Sequence, residues 1–211
     1  MWRLLAIVAA VFLIAGCQNK AIQDPYTLPK LQQVEPAEHQ VIVRLLNDAM
    51  LGKEAYSLKD LVVDPESYKN GNIQRGDVVY FFYPAEALSK YPEIELQQAL
   101  RVVGLSGEKI SMKRGQVFIN GDKLDAFYGK DMNNDVKALK KKLKEPDLFD
   151  FEKENFNNLI RTVESENLEE QVVPEGMLFL LGDNRMRALD SYFFGPIAEE
   201  NIIGKVIGYT K

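Results

Sequence analysis

Few side chains in this chain could carry out metal or thiol chemistry. The sequence has one cysteine, Cys17, and one histidine, His39. Together they cannot supply the nitrogen and sulfur ligands of a usual zinc or copper site. His39 lies between Glu38 and Gln40, a polar setting that is typical of a solvated residue. We therefore expect no metal site and no cofactor.

Carboxylates offer a second kind of chemistry. Asp183 and Asp190 lie close together in the sequence near its end and could act as a paired acid and base, as in aspartic or glycosidic catalysis. Nothing else in the sequence adds a further element of such a site, so turn and salt-bridge roles are favoured for both. A reaction centre built on these two carboxylates is not expected.

The composition indicates one globular domain behind a targeting segment. The chain has 211 residues, of which 46% are hydrophobic and 27% are charged, a balance that allows one well-buried core with an insertion. Its formal net charge is −5, so no overall basic field attracts nucleic acid through phosphate contacts. Nucleic acid is therefore excluded as a partner.

Most of the chain after residue 39 is predicted to form short β-strands separated by turn signals. The predicted strands are residues 40–46, 61–63, 77–82, 101–103, 116–119, 177–181 and 202–209. Asn120 and Gly121 are the strongest hairpin signal, because both accept the positive φ that a type I′ turn requires. The fold class is therefore mainly β.

Two segments interrupt the strand pattern. Residues 86–98 are predicted to form a short helix or an irregular excursion that Pro92 breaks, and residues 135–169 are charged and helix-prone. We place a helical insertion at about residues 131–170, in which Pro146 divides a first helix from a second one over residues 151–167.

The first predicted helix of the insertion is amphipathic and rich in lysine. Val136, Leu139 and Leu143 share one face, and the lysines that surround them are Lys137, Lys140, Lys141, Lys142 and Lys144. Acidic residues follow closely, at Asp147, Asp150, Glu152 and Glu154. Because these acids cancel the basic run, the sequence favours a solvated helix over a surface that binds a membrane or a partner.

The N-terminus is predicted to be a targeting segment. Arg3 is followed by an apolar run over residues 4–14 that is short for a membrane span, and then by small residues. The run Ile14-Ala15-Gly16-Cys17 resembles the lipobox of bacterial lipoproteins. That resemblance implies a signal peptide over residues 1–16, lipid on Cys17 and an extracytoplasmic, membrane-attached protein. Residues 17–38 are then expected to form an extended tether, and residues 39–211 the domain.

Four blocks in the domain resemble type I signal peptidases, in order and over nearly its whole length. The blocks are Asp48-Ala49-Met50-Leu51-Gly52, Arg75-Gly76-Asp77-Val78-Val79, Leu100-Arg101-Val102-Val103-Gly104-Leu105-Ser106-Gly107 and Gly182-Asp183-Asn184-Arg185-Met186-Arg187-Ala188-Leu189-Asp190-Ser191-Tyr192. The family motif positions that these blocks retain are Met50, Arg101, Gly182, Asp183, Asn184, Arg185, Asp190 and Ser191. The resemblance implies the family's antiparallel β domain, here with a charged helical insertion.

The differences from the family pattern fall where its chemistry takes place. The serine nucleophile and the lysine general base of the family correspond to Ala49 and Leu100, and a further family serine corresponds to Ala188. A leucine cannot accept a proton, and Arg101 beside it does not deprotonate in a protein. An uncompensated buried lysine would be unfavourable, so the three apolar residues form a consistent small patch and a candidate pocket. Tyr192 likewise replaces a family arginine that pairs with the position of Asp190.

The resemblance therefore implies a peptidase homologue that lacks the catalytic dyad. Its groove would bind an extended peptide by β-strand addition, with signal peptides as candidate ligands. A first alternative is an active endopeptidase that cleaves signal peptides with a different nucleophile, for which Ser57 and Ser191 are the candidates. A second alternative is a lipoprotein that regulates or docks onto a membrane protein through its helical insertion.

Overall fold

The computed structural model describes residues 20–27, 30–52, 56, 58–69, 73–131 and 134–211. The predicted signal peptide, the candidate lipidation site Cys17 and the candidate nucleophile Ser57 lie outside this part of the chain. The described strands are β1 (Ala21–Ile22), β2 (Val41–Arg44), β3 (Asp60–Asp64), β4 (Val78–Phe82), β5 (Gln97–Gly104), β6 (Lys109–Lys113), β7 (Gln116–Ile119), β8 (Asp122–Leu124), β9 (Leu168–Val172), β10 (Met177–Leu181), β11 (Ile197–Ala198) and β12 (Ile202–Thr210). The described α-helices are α1 (Ala85–Lys90), α2 (Val136–Lys142), α3 (Asp150–Ser165) and α4 (Ser191–Phe194).

The strands form two sheets, which confirms the mainly β prediction. The larger sheet has the order β11-β10-β5-β4-β12-β3-β2, and the smaller one has the order β1-β8-β7-β6-β9. The named strand pairs are antiparallel except for β1 with β8. Each sheet carries its own apolar cluster, one around Leu100 and Phe81 and the other around Ile110 and Phe179. β5 and β10 supply side chains to both clusters and so join the two halves of the core.

The hairpin predicted at Asn120 and Gly121 is confirmed. The two residues join β7 to β8 with φ angles of 52° and 82°, as a type I′ turn requires. The predicted strand over residues 101–103 is longer than expected, because β5 begins at Gln97 inside the predicted irregular segment. β6 and β9 were not predicted at all. Among the described strands, β9 pairs with β6 alone, and it consists largely of polar residues, so its sequence lacks a clear apolar alternation.

The helical insertion forms as two helices, as predicted. The Asp135 side chain accepts a hydrogen bond from the Lys137 backbone and caps α2, and Leu139 is the buried residue of that helix. α3 buries Ile160 and Val163 and packs against α2. No helix among the described residues combines the length and the apolar character needed to cross a bilayer.

Much of the segment predicted as an extended tether is docked on the domain. We call residues 20–27 and 30–34 the N-terminal strap. Its first part adds β1 to the smaller sheet beside β8, and the Asp24 carboxylate accepts a hydrogen bond from the Tyr128 hydroxyl at 2.6 Å. Its second part exchanges backbone hydrogen bonds with Tyr209 in β12. The strap bends at residues 25–27, where the Tyr26 and Thr27 N–H groups donate to the Asp24 carboxylate, and its backbone pairs with a strand on each side of this bend.

Candidate functional site

Ala49 lies in the loop that follows β2, and its N–H and its carbonyl each make one hydrogen bond. Its N–H donates to the Asn47 side chain at 3.1 Å, and its carbonyl accepts from the Asn184 N–H at 3.0 Å. The second bond joins the first motif block to the last one across the fold. The neighbouring Met50 is completely buried. The motif block that contains Ala49 is thus held by hydrogen bonds within its own loop and to the last motif block.

Leu100 lies in the middle of β5, opposite Val79 of β4. It is completely buried and belongs to the same apolar cluster as Ala49 and Ala188. Because successive strand residues point to opposite faces, the next residue, Arg101, points to the other face of β5, where its guanidinium lies near Tyr56, Phe127 and Tyr128. β5 therefore carries the position of the family base on one face and a buried cation on the other.

Gly182 brings two of the predicted positions close together. A Cβ atom added there would lie 2.3 Å from the Ala188 Cβ and 2.8 Å from the Ala49 carbonyl oxygen. Contacts this short leave no room for a side chain, so the approach of these three residues depends on the glycine. The structure thus places Ala49 and Ala188 on either side of Gly182, with Leu100 in the same cluster.

The pocket expected between these apolar residues is closed. Ala49, Leu100 and Ala188 are only 1%, 0% and 6% exposed. A ligand side chain can enter between them only if this packing changes. The physical reason is that each replacement is apolar, and apolar groups at this depth pack against one another instead of leaving a void. A bulky residue at position 49 would therefore strain the core, whereas an open pocket would have accommodated it.

A buried ion pair supports the motif from the opposite face of β5. The Arg101 guanidinium donates to both carboxylate oxygens of Asp183, at 2.7 and 2.6 Å, and to the Gly76 carbonyl at 2.8 Å. Burial alone would lower the pKa of Arg101, but the Asp183 carboxylate raises it above its ordinary value. The rings of Phe127 and Tyr128 lie against the guanidinium, at 5.0 and 5.4 Å from it. Asp183 thus has the salt-bridge role favoured from the sequence.

Asp190 and Ser191 hold the last motif block through backbone contacts. The Asp190 carboxylate accepts from the Gly182 N–H at 3.0 Å and from the Tyr192 N–H at 3.1 Å. Burial raises the pKa of Asp190 to about 7, against the effect of these hydrogen bonds. The Ser191 hydroxyl accepts from the Leu180 N–H at 3.0 Å and is buried. Both residues therefore have structural partners, and their contacts do not form an acid–base pair with Asp183.

A cavity of about 270 Å³ lies beside this block, and the sequence did not indicate it. Arg185, Glu166, Asp190 and Tyr192 are among its lining residues. The buried Arg185 guanidinium lies 3.7 Å from the Glu166 carboxylate, whose pKa burial raises. Glu166 lies outside the motif blocks, at the end of α3, and no sequence signal linked it to Arg185. The Tyr192 hydroxyl donates to the backbone carbonyl of Asn167 at 3.3 Å.

The larger sheet ends at β2, directly before the Ala49 loop. β2 pairs with β3 on one side and is the last strand of the sheet order. It presents Val41 and Ile42 to solvent, 47% and 51% exposed, and Leu46 follows at 76%. An edge strand with exposed apolar side chains is a template for pairing with another extended chain.

Comparison with known proteins gives one consistent family. The profile described as "Signal peptidase, peptidase S26" matches residues 52–209. The chain is 28% identical over 202 residues to signal peptidase IB of Staphylococcus aureus strain COL, which covers 94% of this chain and 83% of that protein. It is 33% identical over 147 residues to signal peptidase I of Bacillus caldolyticus, which covers 69% of this chain and 66% of that protein.

One solved structure of the same kind is also similar. It is the crystal structure of a signal peptidase I from Enterococcus faecalis V583, with 24% sequence identity and a TM-score of 0.39. The similarity covers 64% of this chain and 96% of that chain.

Proposed function

The chain belongs to the signal peptidase family, peptidase S26, and we propose that it is a lipid-anchored, extracytoplasmic member that has no peptidase activity and binds an extended peptide. The observation that carries this proposal is the apolar character of the site. Ala49 and Leu100 are buried with Ala188 in one cluster. Neither residue has an atom that can attack a carbonyl or accept a proton.

The proposal predicts no cleavage of a preprotein. Loss of a nucleophile or its base costs several powers of ten in rate, and here both positions lack the required group. The measurement is a cleavage assay with purified full-length protein and a signal-peptide substrate, with an active family member as the positive control. An acylating inhibitor that labels the active member should leave this protein at its unmodified mass.

The first alternative is cleavage with another nucleophile. Ser191 is a weak candidate, because it is buried and its hydroxyl already accepts the Leu180 N–H. Ser57 lies outside the described residues, so only the assay addresses it. Specific cleavage that Ser57→Ala or Ser191→Ala abolishes would establish this alternative and overturn the main proposal.

The open edge of β2 supports peptide binding. A peptide that pairs with β2 extends the larger sheet through main-chain hydrogen bonds, and this mode does not need the catalytic pair. The exposed Val41 and Ile42 offer apolar contacts on both faces of the added strand. The closed cluster around Ala49 indicates that affinity comes from the strand edge and not from a deep side-chain pocket.

The test is calorimetric titration with uncleaved peptides that end in small-x-small. A peptide paired with β2 should lose affinity when alternate backbone nitrogens are methylated, because only every second N–H faces the protein strand. Ile42→Lys should weaken binding. Val172→Lys is the matched control, since Val172 is 55% exposed at the edge strand β9 of the smaller sheet.

Equal effects of the two lysine variants, or equal effects of methylation at every position, would refute binding at β2. If no peptide binds the wild-type protein, the groove is vestigial. The second alternative, docking onto a membrane protein through the helical insertion, is then favoured over peptide binding.

Lipid attachment at Cys17 is the remaining part of the proposal, and the N-terminal strap gives it a geometric consequence. Ala21 already lies in a strand, so at most four residue steps, about 14 Å when fully extended, separate it from the lipidated residue. The lipid would hold the β1 edge of the smaller sheet close to the bilayer. Mass spectrometry of the membrane-extracted protein should find a diacylated Cys17 at the N-terminus. Unlipidated protein that begins elsewhere would refute it.

A further inference from the structure

A large cleft lies between the helical insertion and the smaller sheet. Its volume is about 890 Å³, within the range of ligand sites. It is bounded by α2 and the residues just before it, by Val163 and Glu164 of α3, and by Arg114 and Gln116 at the turn that joins β6 to β7. We call it the basic cleft, because its charged lining is mostly lysine and arginine.

The residues that line the basic cleft have a net charge opposite in sign to that of the whole protein. The six cationic side chains that line it are Arg114, Lys130, Lys137, Lys140, Lys141 and Lys144, and the three acidic ones are Asp131, Asp135 and Glu164. Six positive and three negative charges give a local net charge of +3, in a chain whose net charge is −5. Concave basic surfaces of this kind concentrate anions.

The acidic residues of the cleft already have hydrogen-bond partners within the protein. Glu164 accepts hydrogen bonds from Arg114 at 2.6 Å and from Lys140 at 2.7 Å. Asp135 caps α2, and the buried Asp131 accepts from the Asn134 backbone at 2.9 Å. Within the described part of the chain, no ion pair engages the other lysines of the cleft, Lys130, Lys137, Lys141 and Lys144.

The fold separates these lysines from the acids that follow them in sequence. Asp147, Asp150, Glu152 and Glu154 do not line the cleft. The sequence predicted that these acids would offset the positive charge of the lysines, but inside the cleft they do not. Lys137 and Lys141 lie four residues apart on α2 and so share one face of the helix, which turns toward the cleft.

From this arrangement we propose that the basic cleft binds a phosphate ester, either a soluble phosphodiester or the glycerophosphate headgroup of a membrane lipid. Lysine is a common phosphate ligand, because its ammonium group is a mobile point charge that can approach several phosphate oxygens. The single arginine of the cleft is held by Glu164. Val136, Ala138 and Val163 line the same space and offer contacts to the carbon backbone of such an ester. This inference does not depend on peptide binding or on the absence of cleavage.

The test is lysine acetylation footprinting of the full-length protein, read by mass spectrometry. The protein is reconstituted in phosphatidylcholine nanodiscs and titrated with glycerophosphoglycerol or inorganic tripolyphosphate. A second arm replaces part of the phosphatidylcholine with phosphatidylglycerol and adds no soluble ligand. Lys137 and Lys141 should be protected, and Lys142 serves as the internal control, because it is exposed on the same helix but does not line the cleft.

The two arms separate the sources of the phosphate. Protection by the soluble probes alone assigns a soluble phosphodiester, and protection in the phosphatidylglycerol arm assigns a lipid headgroup. Lys137→Gln with Lys141→Gln should weaken binding about 25-fold, at about fivefold for each lysine removed. Lys142→Gln with Lys90→Gln, which makes the same charge change outside the cleft, should leave the affinity unchanged.

Three results would overturn the proposal. The first is an absence of protection by every phosphate probe in both arms. The second is equal weakening by the cleft variant and by the matched control variant. The third is equal or stronger protection by an oligoglutamate peptide, which would show that the cleft recognises negative charge without preference for phosphate.

Discussion

The sharpest perturbation of the candidate site is the return of a lysine to position 100. Leu100 is completely buried in an apolar cluster with Ala49 and Ala188. In Leu100→Lys the amine enters this cluster without a hydroxyl partner from either alanine. Burial of this kind lowers the pKa of a lysine by about 3 to 5 units. With a shift of about 4 units, the pKa of the new amine falls from about 10.4 to between 6 and 7.

The stability cost follows from the pKa shift. A folded-state pKa below the unfolded one means that the unfolded state binds more protons, so the free energy of unfolding rises with pH between the two values. At pH 7 the unfavourable contribution is close to its full size, about 4 to 5 kcal/mol at about 1.4 kcal/mol per unit. Near pH 10 the amine is neutral in the folded state, and the unfolded-state amine is close to its own pKa of about 10.4, so about 4 kcal/mol of that cost has disappeared.

The measurement is denaturant unfolding of Leu100→Lys and of Leu100→Met at pH 7 and pH 10. Methionine keeps the length and apolar character of the side chain, so it controls for packing changes at the same position. The difference in stability between the two variants should be large at pH 7 and should shrink by about 4 kcal/mol at pH 10. A difference that does not change with pH would mean that the lysine reaches water, and the closed-site interpretation would be wrong.

The double change Ala49→Ser with Leu100→Lys extends the same experiment to activity. A serine hydroxyl within reach of the neutral amine would recover part of the lost stability, about 1 kcal/mol for a net hydrogen bond. Acylation of the new serine by a family inhibitor would show that the geometry of the dyad survives. Stability without acylation would show that the remodelled loop no longer aligns the two groups.

Two further predictions concern buried carboxylates and use the same unfolding assay. Asp183→Asn should cost about 3 to 5 kcal/mol of stability, because it leaves the Arg101 charge buried without its partner. The control Asp48→Asn, which breaks an exposed ion pair, should change stability by less than about 1 kcal/mol. Similar costs for the two variants would contradict the role given to the buried pair. Burial raises the pKa of Asp190 to about 7, so between pH 4 and pH 7 the folded state binds a proton that the unfolded state has released. The stability of the wild type relative to Asp190→Asn should therefore fall, by up to about 4 kcal/mol, as pH rises from 4 to 7. A relative stability that stays constant or rises over this range would refute the raised pKa of Asp190.

The sequence predicted those parts of the fold whose signals are local. Asn120 and Gly121 specify their hairpin through the positive φ that both residues accept, and Pro146 separates the two helices of the insertion. β9 was missed because its edge position tolerates a polar sequence. The pairing of the strap with the domain was not predicted, because extended, proline-containing segments have the same sequence pattern whether they are free or paired.

The site was predictable in identity but not in shape. Motif order named Ala49, Leu100 and Ala188, whereas their closure around Gly182 depends on contacts between residues far apart in sequence. The Arg101–Asp183 pair spans 82 positions. Spacing along the chain carries no information about contacts of this kind.

The pattern of retained and lost residues supports a remodelled site rather than a decayed one. The buried Arg101–Asp183 pair is intact, and its guanidinium also donates to the Gly76 carbonyl. The positions that would need one another for proton transfer are apolar together, so none leaves a buried amine or hydroxyl unpaired. Random loss of a single catalytic residue would have left such a group behind, at a cost of about 1 to 3 kcal/mol. The packing around Ala49, Leu100 and Ala188 therefore leaves no buried polar group that a catalytic partner would have to satisfy, which is what the proposed binding function requires of this scaffold.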